Sequence, residues 1–258
     1  MLTHTSGDPA WKKAFVERVN RELEHTHDRF PAMSLATVDI EGRPAVRTVS
    51  PRGFVGDGFL RINKDDRHGQ WASDVLTFCT HAKSNKVREL TAGTGDVQLV
   101  CWLQNTGVQI RCGGHAHLLF HPDNPQYSTL SLDIRHRVWP RDAASSSSSL
   151  ESSASGAEID AEFIREEAYL HHAPVIQAWY SWPPPGAVRV ADPSLYPATI
   201  PNIADPDEKA RFEANARRNY VLVFVDVNCI DIVDLVAQTR TIYTRRSDTS
   251  WSVTDANP

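Results

Sequence analysis

Asp96-Val97-Gln98-Leu99-Val100-Cys101-Trp102-Leu103-Gln104-Asn105-Thr106-Gly107-Val108-Gln109-Ile110-Arg111-Cys112-Gly113-Gly114-His115-Ala116-His117-Leu118-Leu119 is the stretch that decides the fold. From Asp96 to Leu103 and again from Val108 to Leu119, apolar side chains fall at every second position. That is the signature of strands with one buried face. Asn105-Thr106-Gly107 supplies turn residues between them, so the stretch reads as one long antiparallel hairpin.

The same grammar extends in both directions. Met33, Leu35, Thr37 and Asp39 begin a strand, Gly42-Arg43-Pro44 turns it, and Ala45 to Ser50 runs back. Gly56-Asp57-Gly58 is a further turn, leading into Phe59, Leu60 and Ile62 as another extended run. Gln70 to Asp74 reads as helical, Val75 to Thr80 as a strand, and Ser84 to Leu90 as a short helix. Toward the end, Asp160 to Leu170 reads as a helix and Trp182-Pro183-Pro184-Pro185-Gly186 as an extended, polyproline-like connection. Tyr220 to Val227, Ile230 to Val236 and Thr241 to Thr244 read as late strands. At the other end, Asp8-Pro9 opens a helix with Asp as N-cap and Pro at the first helical position. Trp11, Phe15, Val19 and Leu23 then line one of its faces. Many short strands with local turns and few long helices predict a mainly β fold with peripheral helices, an antiparallel, Greek-key-like closed barrel.

Length and composition bound what this fold does. The chain has 258 residues, 41% of them hydrophobic, enough for one sizeable core, so residues 1–258 are expected to form a single domain. Ala143 to Gly156 is dominated by serine, and a segment at about 142–158 is therefore expected to be a mobile surface insertion. A net charge of −5 offers no general attraction to nucleic acid or to an anionic membrane. The N-terminus lacks the apolar run of a signal peptide, and no apolar stretch is long enough to span a bilayer, which predicts a cytoplasmic protein. Cys79, Cys101, Cys112 and Cys229 are scattered without a CxxC pair and read as free thiols.

Positive charge gathers on consecutive elements. Arg47-Thr48-Val49-Ser50-Pro51-Arg52 ends one strand, and Phe78-Cys79-Thr80-His81-Ala82-Lys83-Ser84-Asn85-Lys86 carries a strand into a helix start. Hydroxyls, helix N-terminal amides and flanking cations together suit an anion such as a phosphate. The alternative is a solvated basic surface. His115, His117 and His121 read as barrel-lining or surface histidines, with no metal site expected. His171-His172 beside the Pro-rich turn is a candidate general base or a helix-end feature. Trp179, Tyr180 and Trp182 either stack on a ligand or plug the core.

Three ordered motifs carry a resemblance to a known family. They are Arg-x-Val-x-x-Arg at Arg47 to Arg52, aromatic-x-Thr-x-x-x-Ser-x-Lys at Phe78 to Lys86, and Gln-x-Arg-x-x-Gly at Gln109, Arg111 and Gly114. A C-terminal Arg240-x-x-Tyr243 with a late Trp251 follows the same pattern. Together they resemble the pyridoxamine 5'-phosphate oxidase-like FMN-binding proteins, in a branch distinct from the authentic vitamin B6 oxidases. The resemblance implies a split β-barrel that works as a homodimer with FMN at the subunit interface. Arg47, Thr80, Ser84 and Lys86 would hold the flavin phosphate and ribityl oxygens. Val49 and Ser50 would run beside the ring, and Thr48, Arg52, Cys79 and Asn85 would also belong to the cofactor site. Gln109, from the partner subunit or across the sheet, and Arg240 would close the pocket, and His171, His172, Gln177 and Trp182 would face the substrate.

The implied activity is an FMN-dependent oxidoreductase acting on a small organic substrate, with NAD(P)H or oxygen as second redox partner. A non-catalytic flavin-binding or flavin-sensing homodimer is the alternative, and a structural dimer without flavin a third. The departures bear on this choice. The Arg-x-His and Trp that read the B6 substrate are missing from Leu235-Val236-Ala237-Gln238-Thr239, so authentic pyridoxamine-phosphate oxidation is not expected. Asn85 stands where many relatives carry a basic residue. A stretch that in the related branch reads Leu-Ser-Pro-x-x-Arg-Ala-x-Phe is His172-Ala173-Pro174-Val175-Ile176-Gln177-Ala178-Trp179-Tyr180 here.

Overall fold

A computed structural model describes residues 2, 7–26, 30–57, 60–66, 69–127, 137–141, 159–247 and 249–258. The serine-rich segment lies outside the described residues. In chain order the elements are α1 (Ala10–Leu23), β1 (Met33–Val38), β2 (Pro44–Val49), β3 (Pro51–Phe54), β4 (Trp71–Ser73), β5 (Leu76–His81), α2 (Asn85–Ala92), β6 (Asp96–Leu103) and β7 (Val108–Leu119). They continue as β8 (Val138–Pro140), α3 (Ala161–Leu170), α4 (Pro174–Trp179), α5 (Pro206–Asn219), β9 (Tyr220–Asp234), β10 (Thr239–Arg245) and β11 (Trp251–Ala256).

The architecture is a curled antiparallel sheet in the order β11-β10-β9-β7-β6-β1-β2, with β3 on β5 and β5 on β9. The curl closes because β2 and β3 are one bent ribbon. β2 pairs with β1, the chain kinks at Ser50, and β3 pairs with β5. β5 lies along the first half of β9 and β10 along the second half, while β7 follows β9 throughout. The expected hairpin forms with the expected ends, pairing Leu103 with Val108 through to Asp96 with His115.

The strand β9 explains the apolar run Tyr220-Val221-Leu222-Val223-Phe224-Val225, because it is buried on both faces. Val221, Val223 and Val225 enter the barrel core with Leu35, Phe54, Phe78, Leu99 and Ile110. Tyr220, Leu222 and Phe224 face a second core under α3, α4 and α5, with Ile164, Tyr169, Tyr180 and Ala216. α1 joins the barrel core through Trp11 and Phe15, whose rings lie 6.0 and 5.8 Å from Phe54.

Several sequence expectations are corrected. α1 begins at Ala10 with Pro9 as its flanking residue. The Asp8 carboxylate accepts from Lys12 Nζ at 3.2 Å and does not cap the helix amides. Lys12 is fully buried, donates to Ser73 O at 2.7 Å and also pairs with Asp57, so charge compensation in the interior claims Asp8. Gln70 to Asp74 is not helical. Trp71–Ser73 forms β4 by pairing with β8, a partner too short and too distant in sequence to be foreseen. Leu60 and Ile62 are irregular chain, buried in the second core and tied by Asp66, which accepts from Ile62 N. Phe59 is outside the described residues.

The late strands expected on either side of Asn228 are one strand, β9. The pairing slips by one residue opposite Gly113 and Gly114, leaving Asn228 as a bulge. A Cβ on Gly114 would lie 2.4 Å from Asp226 O, so only glycine fits against this bulge. Trp182 to Gly186 is a turn and not an extended rod. Gly186 takes φ +82° and Ala187 N donates to Pro184 O at 3.1 Å. α4 and α5 were not read from the sequence. α5 has clear signals, with Pro206 in its first turn and Asp205 accepting from Asp207 N and Glu208 N at 2.9 Å.

Candidate functional site

The kink between β2 and β3, the end of β5 and the start of α2 meet at one cavity of about 660 Å³, and the α3–α4 turn forms its opposite wall. Its lining includes Thr48, Val49, Ser50, Arg52, Cys79, Thr80, His81, Ser84 and Lys86 from the sheet side. His171, His172, Ala173, Ile176, Trp179, Tyr180 and Pro185 come from the helical side. Arg52 occupies a bulge, since Pro51 pairs with Phe78 and Gly53 with Thr77. A bulge re-aims the side chain it carries. Arg52 Nη2 donates to His171 O at 3.2 Å, which ties the two walls together.

One end of the cavity is built for an anion. Lys86 Nζ donates to Thr80 Oγ1 at 3.0 Å, and the Thr80 and Ser84 hydroxyls lie 3.0 Å apart. Ser84 precedes α2, yet its side chain makes no capping bond to the helix amides. The hydroxyl therefore faces its neighbours while the helix N-terminus keeps its partial positive charge. Burial, and then the Arg47 charge, hold Lys86 below its ordinary value. An anion bound here would favour the charged form of Lys86 and oppose both effects.

The lining also has an apolar part, with Val49, Ile176, Trp179, Tyr180 and Pro185. Trp179 is half exposed, and its ring lies 6.5 Å from that of Trp182. Two of the lining histidines, His81 and His172, are held neutral. Burial, then Lys83, push His81 down to about 4, and burial, then Arg52, push His172 down to about 3. None of the described lining residues is acidic. A cavity of this size, lined by hydroxyls, cations and apolar side chains, fits a phosphorylated planar cofactor such as FMN.

The structure places the remaining sequence candidates elsewhere. Arg47 does not line the cavity, because its guanidinium is paired with Glu89 and also donates to Thr37. Asn85 points outward and accepts from Arg88 at 3.1 Å. Gln109 and Arg240 lie on β7 and β10, outside the cavity lining. Arg240 and Arg111 both donate to Asp231, which holds these three strands in register. Burial raises Asp231, but the bonds from Arg240 and Arg111 outweigh it and leave the carboxyl below its usual range.

Gln177 closes α3 by donating to Tyr169 O and Leu170 O at 3.2 and 3.3 Å, so this residue acts as a helix cap. Trp182 donates to Pro197 O at 3.1 Å and lines a separate groove with Pro183, Pro184 and Tyr196. His81, Ala173, Ile176 and Pro185 belong to the cavity and were missed. The position of His81 between Thr80 and Lys83 was the available signal.

Residues 8–120 match the family model described as pyridoxamine 5'-phosphate oxidase, FMN-binding domain. The pyridoxine/pyridoxamine 5'-phosphate oxidase of Deinococcus deserti is 35% identical over 96 residues, 37% of this chain and 36% of that protein. The enzyme of the same name from Xanthomonas euvesicatoria is 30% identical over 98 residues, 37% of this chain and 41% of that one. The match thus spans well under half the length of these curated relatives.

Over the whole chain the fold resembles a pyridoxamine 5'-phosphate oxidase-related, FMN-binding protein of Nostoc punctiforme. The TM-score is 0.65 with 21% identity, covering 98% of this chain and 100% of that one. It also resembles PhzG of Burkholderia lata, solved with tetrahydrophenazine-1-carboxylic acid, at a TM-score of 0.52 and 16% identity over 98% and 95% of the two chains. The cavity's walls on β2, β3, β5 and α2 all fall inside the matched segment, so the part of the chain that builds them is the part similar to the FMN-binding domain of the pyridoxamine 5'-phosphate oxidases.

Proposed function

We propose that this protein is an FMN-dependent oxidoreductase acting on a small organic substrate. The observation that carries the reading is the cavity whose lining joins Lys86, Thr80 and Ser84 with the apolar Val49, Ile176 and Tyr180. Bound FMN would supply reversible two-electron chemistry. Lys86 and the two hydroxyls would hold the phosphate, and the kinked backbone at Thr48 to Ser50 would set the plane of the ring. The α3–α4 turn would cover the opposite side and limit water. No carboxylate lines the cavity among the described residues and both buried histidines are weak bases there, so catalysis would rest on placement of the substrate over the ring.

We read the working form as a homodimer. Gln109, Arg111 and Arg240 stand outside this cavity, on β7 and β10, strands whose surface also exposes Trp102 of neighbouring β6. That arrangement supports a second copy bringing Gln109 and Arg240 toward the cavity. Anaerobic mixing of the FMN-loaded protein with NADH or NADPH tests the function. The expected result is loss of the flavin's visible absorption and its return when oxygen is admitted. Retained FMN that neither nicotinamide reduces and that no candidate substrate reduces would favour the non-catalytic flavin-binding alternative.

A further inference from the structure

The turn between α3 and α4 carries two adjacent histidines with different surroundings. His171 folds back on its own helix, where its Nδ1 lies 2.7 Å from Glu167 O. His172 instead dips toward the sheet. Its ring meets Tyr220 edge-on at 5.7 Å and Tyr180 at 5.9 Å, and its Nε2 lies 3.1 Å from Cys79 Sγ. Both His172 and Cys79 line the cavity.

The direction of the bond between them follows from the proton inventory. Burial pushes the Cys79 thiol above its ordinary value, so the sulfur keeps its proton, and the phenols of Tyr180 and Tyr220 lie close to it. A neutral imidazole nitrogen is a far better acceptor than a thiol sulfur. The thiol therefore donates to Nε2, and a neutral ring that accepts at Nε2 carries its own proton on Nδ1. That N–H makes no hydrogen bond to the protein among those described, on a ring that lines the cavity.

We propose that His172 is a neutral hydrogen-bond donor into the cavity, its Nδ1–H engaging a carbonyl oxygen of the occupant, with Cys79 as the positioning residue that fixes this tautomer. The proposal rests on reading the cavity as the flavin site. The shared chemistry is a carbonyl acceptor, supplied either by the flavin ring or by the substrate. An alkylammonium group has no lone pair for this donor and meets only neutral or positive neighbours, so uncharged carbonyl compounds are favoured over amines. The depressed basicity of His172 agrees with a group that donates without ionising and disagrees with a general base.

Long-range nitrogen–proton correlation spectra of protein labelled with nitrogen-15 histidine test this. The wild-type protein should show His172 as the Nδ1–H tautomer, with no titration from about pH 7 to about pH 5. Cys79→Ala should give a mixture of tautomers, and Cys79→Ser, which keeps a donor, should restore the wild-type pattern. A burial role alone would not distinguish these variants. The Nδ1 resonance should then move in one of two arms. A shift on adding FMN alone assigns the acceptor to the flavin, and a shift only on adding benzaldehyde, but not benzylamine, assigns it to the substrate. In that second arm His172→Phe should weaken benzaldehyde binding roughly 10-fold, the loss of one buried hydrogen bond. A wild-type Nε2–H tautomer, or a titration near the ordinary histidine value, overturns the proposal, as does an Nδ1 resonance that neither FMN nor benzaldehyde moves. The tautomer is read on the protein without FMN as well, so failure of flavin binding and failure of this proposal are separate outcomes.

Discussion

At the scale of single residues, the site is a set of polar groups each given one task by its neighbours. Lys86 donates to a hydroxyl, whereas Arg47, equally basic in the sequence, is paired with Glu89. This difference was not legible in the motif, because Glu89 lies three residues beyond its last residue, Lys86. Thr48, Val49, Ser50, Arg52, Cys79, Thr80, Ser84 and Lys86 were legible, since strand ends and helix starts that share a motif converge in space. Lys86→Ala removes a charge-assisted bond worth about 1.5–3 kcal/mol, so FMN affinity should fall roughly 10- to 100-fold.

The buried histidines make a second residue-scale prediction. His81 and His172 bind protons more weakly when folded, at about 4 and about 3, than the ordinary 6.5 of the unfolded chain. Their contribution to stability is therefore complete above about pH 6.5 and is lost as the pH falls toward those lower values. Each can contribute a slope of up to about 1.4 kcal/mol per pH unit, and His117 and His121, also lowered, act in the same direction. The urea midpoint of the FMN-free protein should drop between about pH 6.5 and about pH 5, and less steeply in His172→Gln. A flat profile in the wild type would contradict the assignment of these rings as buried and neutral.

At the scale of elements, local patterns were readable and distant pairings were not. The β6–β7 hairpin was visible because its turn and its alternation are contiguous. The β4–β8 pair was not, because each strand has three residues and neither carries a period. The apparent break at Asn228-Cys229 is a bulge, and its counterpart is the Gly113-Gly114 step within the Gln-x-Arg-x-x-Gly motif. That motif thus records strand geometry as well as chemistry, since Gly114 makes room for Asp226 O and Arg111 joins Arg240 on Asp231. Gly114→Ala should destabilise the protein by about 2 kcal/mol or more, because the clash is with backbone that cannot swing away. Chemical denaturation should show this as a lower midpoint with an unchanged slope.

At the scale of the whole molecule, the closed sheet exists to hold a kink. β2 and β3 belong to opposite lips of the curl, and the ribbon that joins them places Thr48 to Ser50 between the α2 start and the α3–α4 turn. The barrel core fixes one side of this junction, and the second core, shared through β9, fixes the other. Flavin binding at that junction is the central claim, and it should stabilise the fold by about 2.7 kcal/mol at a hundredfold excess of FMN over its Kd. Equilibrium titration of the purified protein with FMN, followed by quenching of flavin fluorescence, tests it most directly. The predicted result is saturable uptake of one FMN per chain, weakened roughly 10- to 100-fold by Lys86→Ala. A protein that takes up no FMN, or one whose uptake is the same after Lys86→Ala, would contradict it.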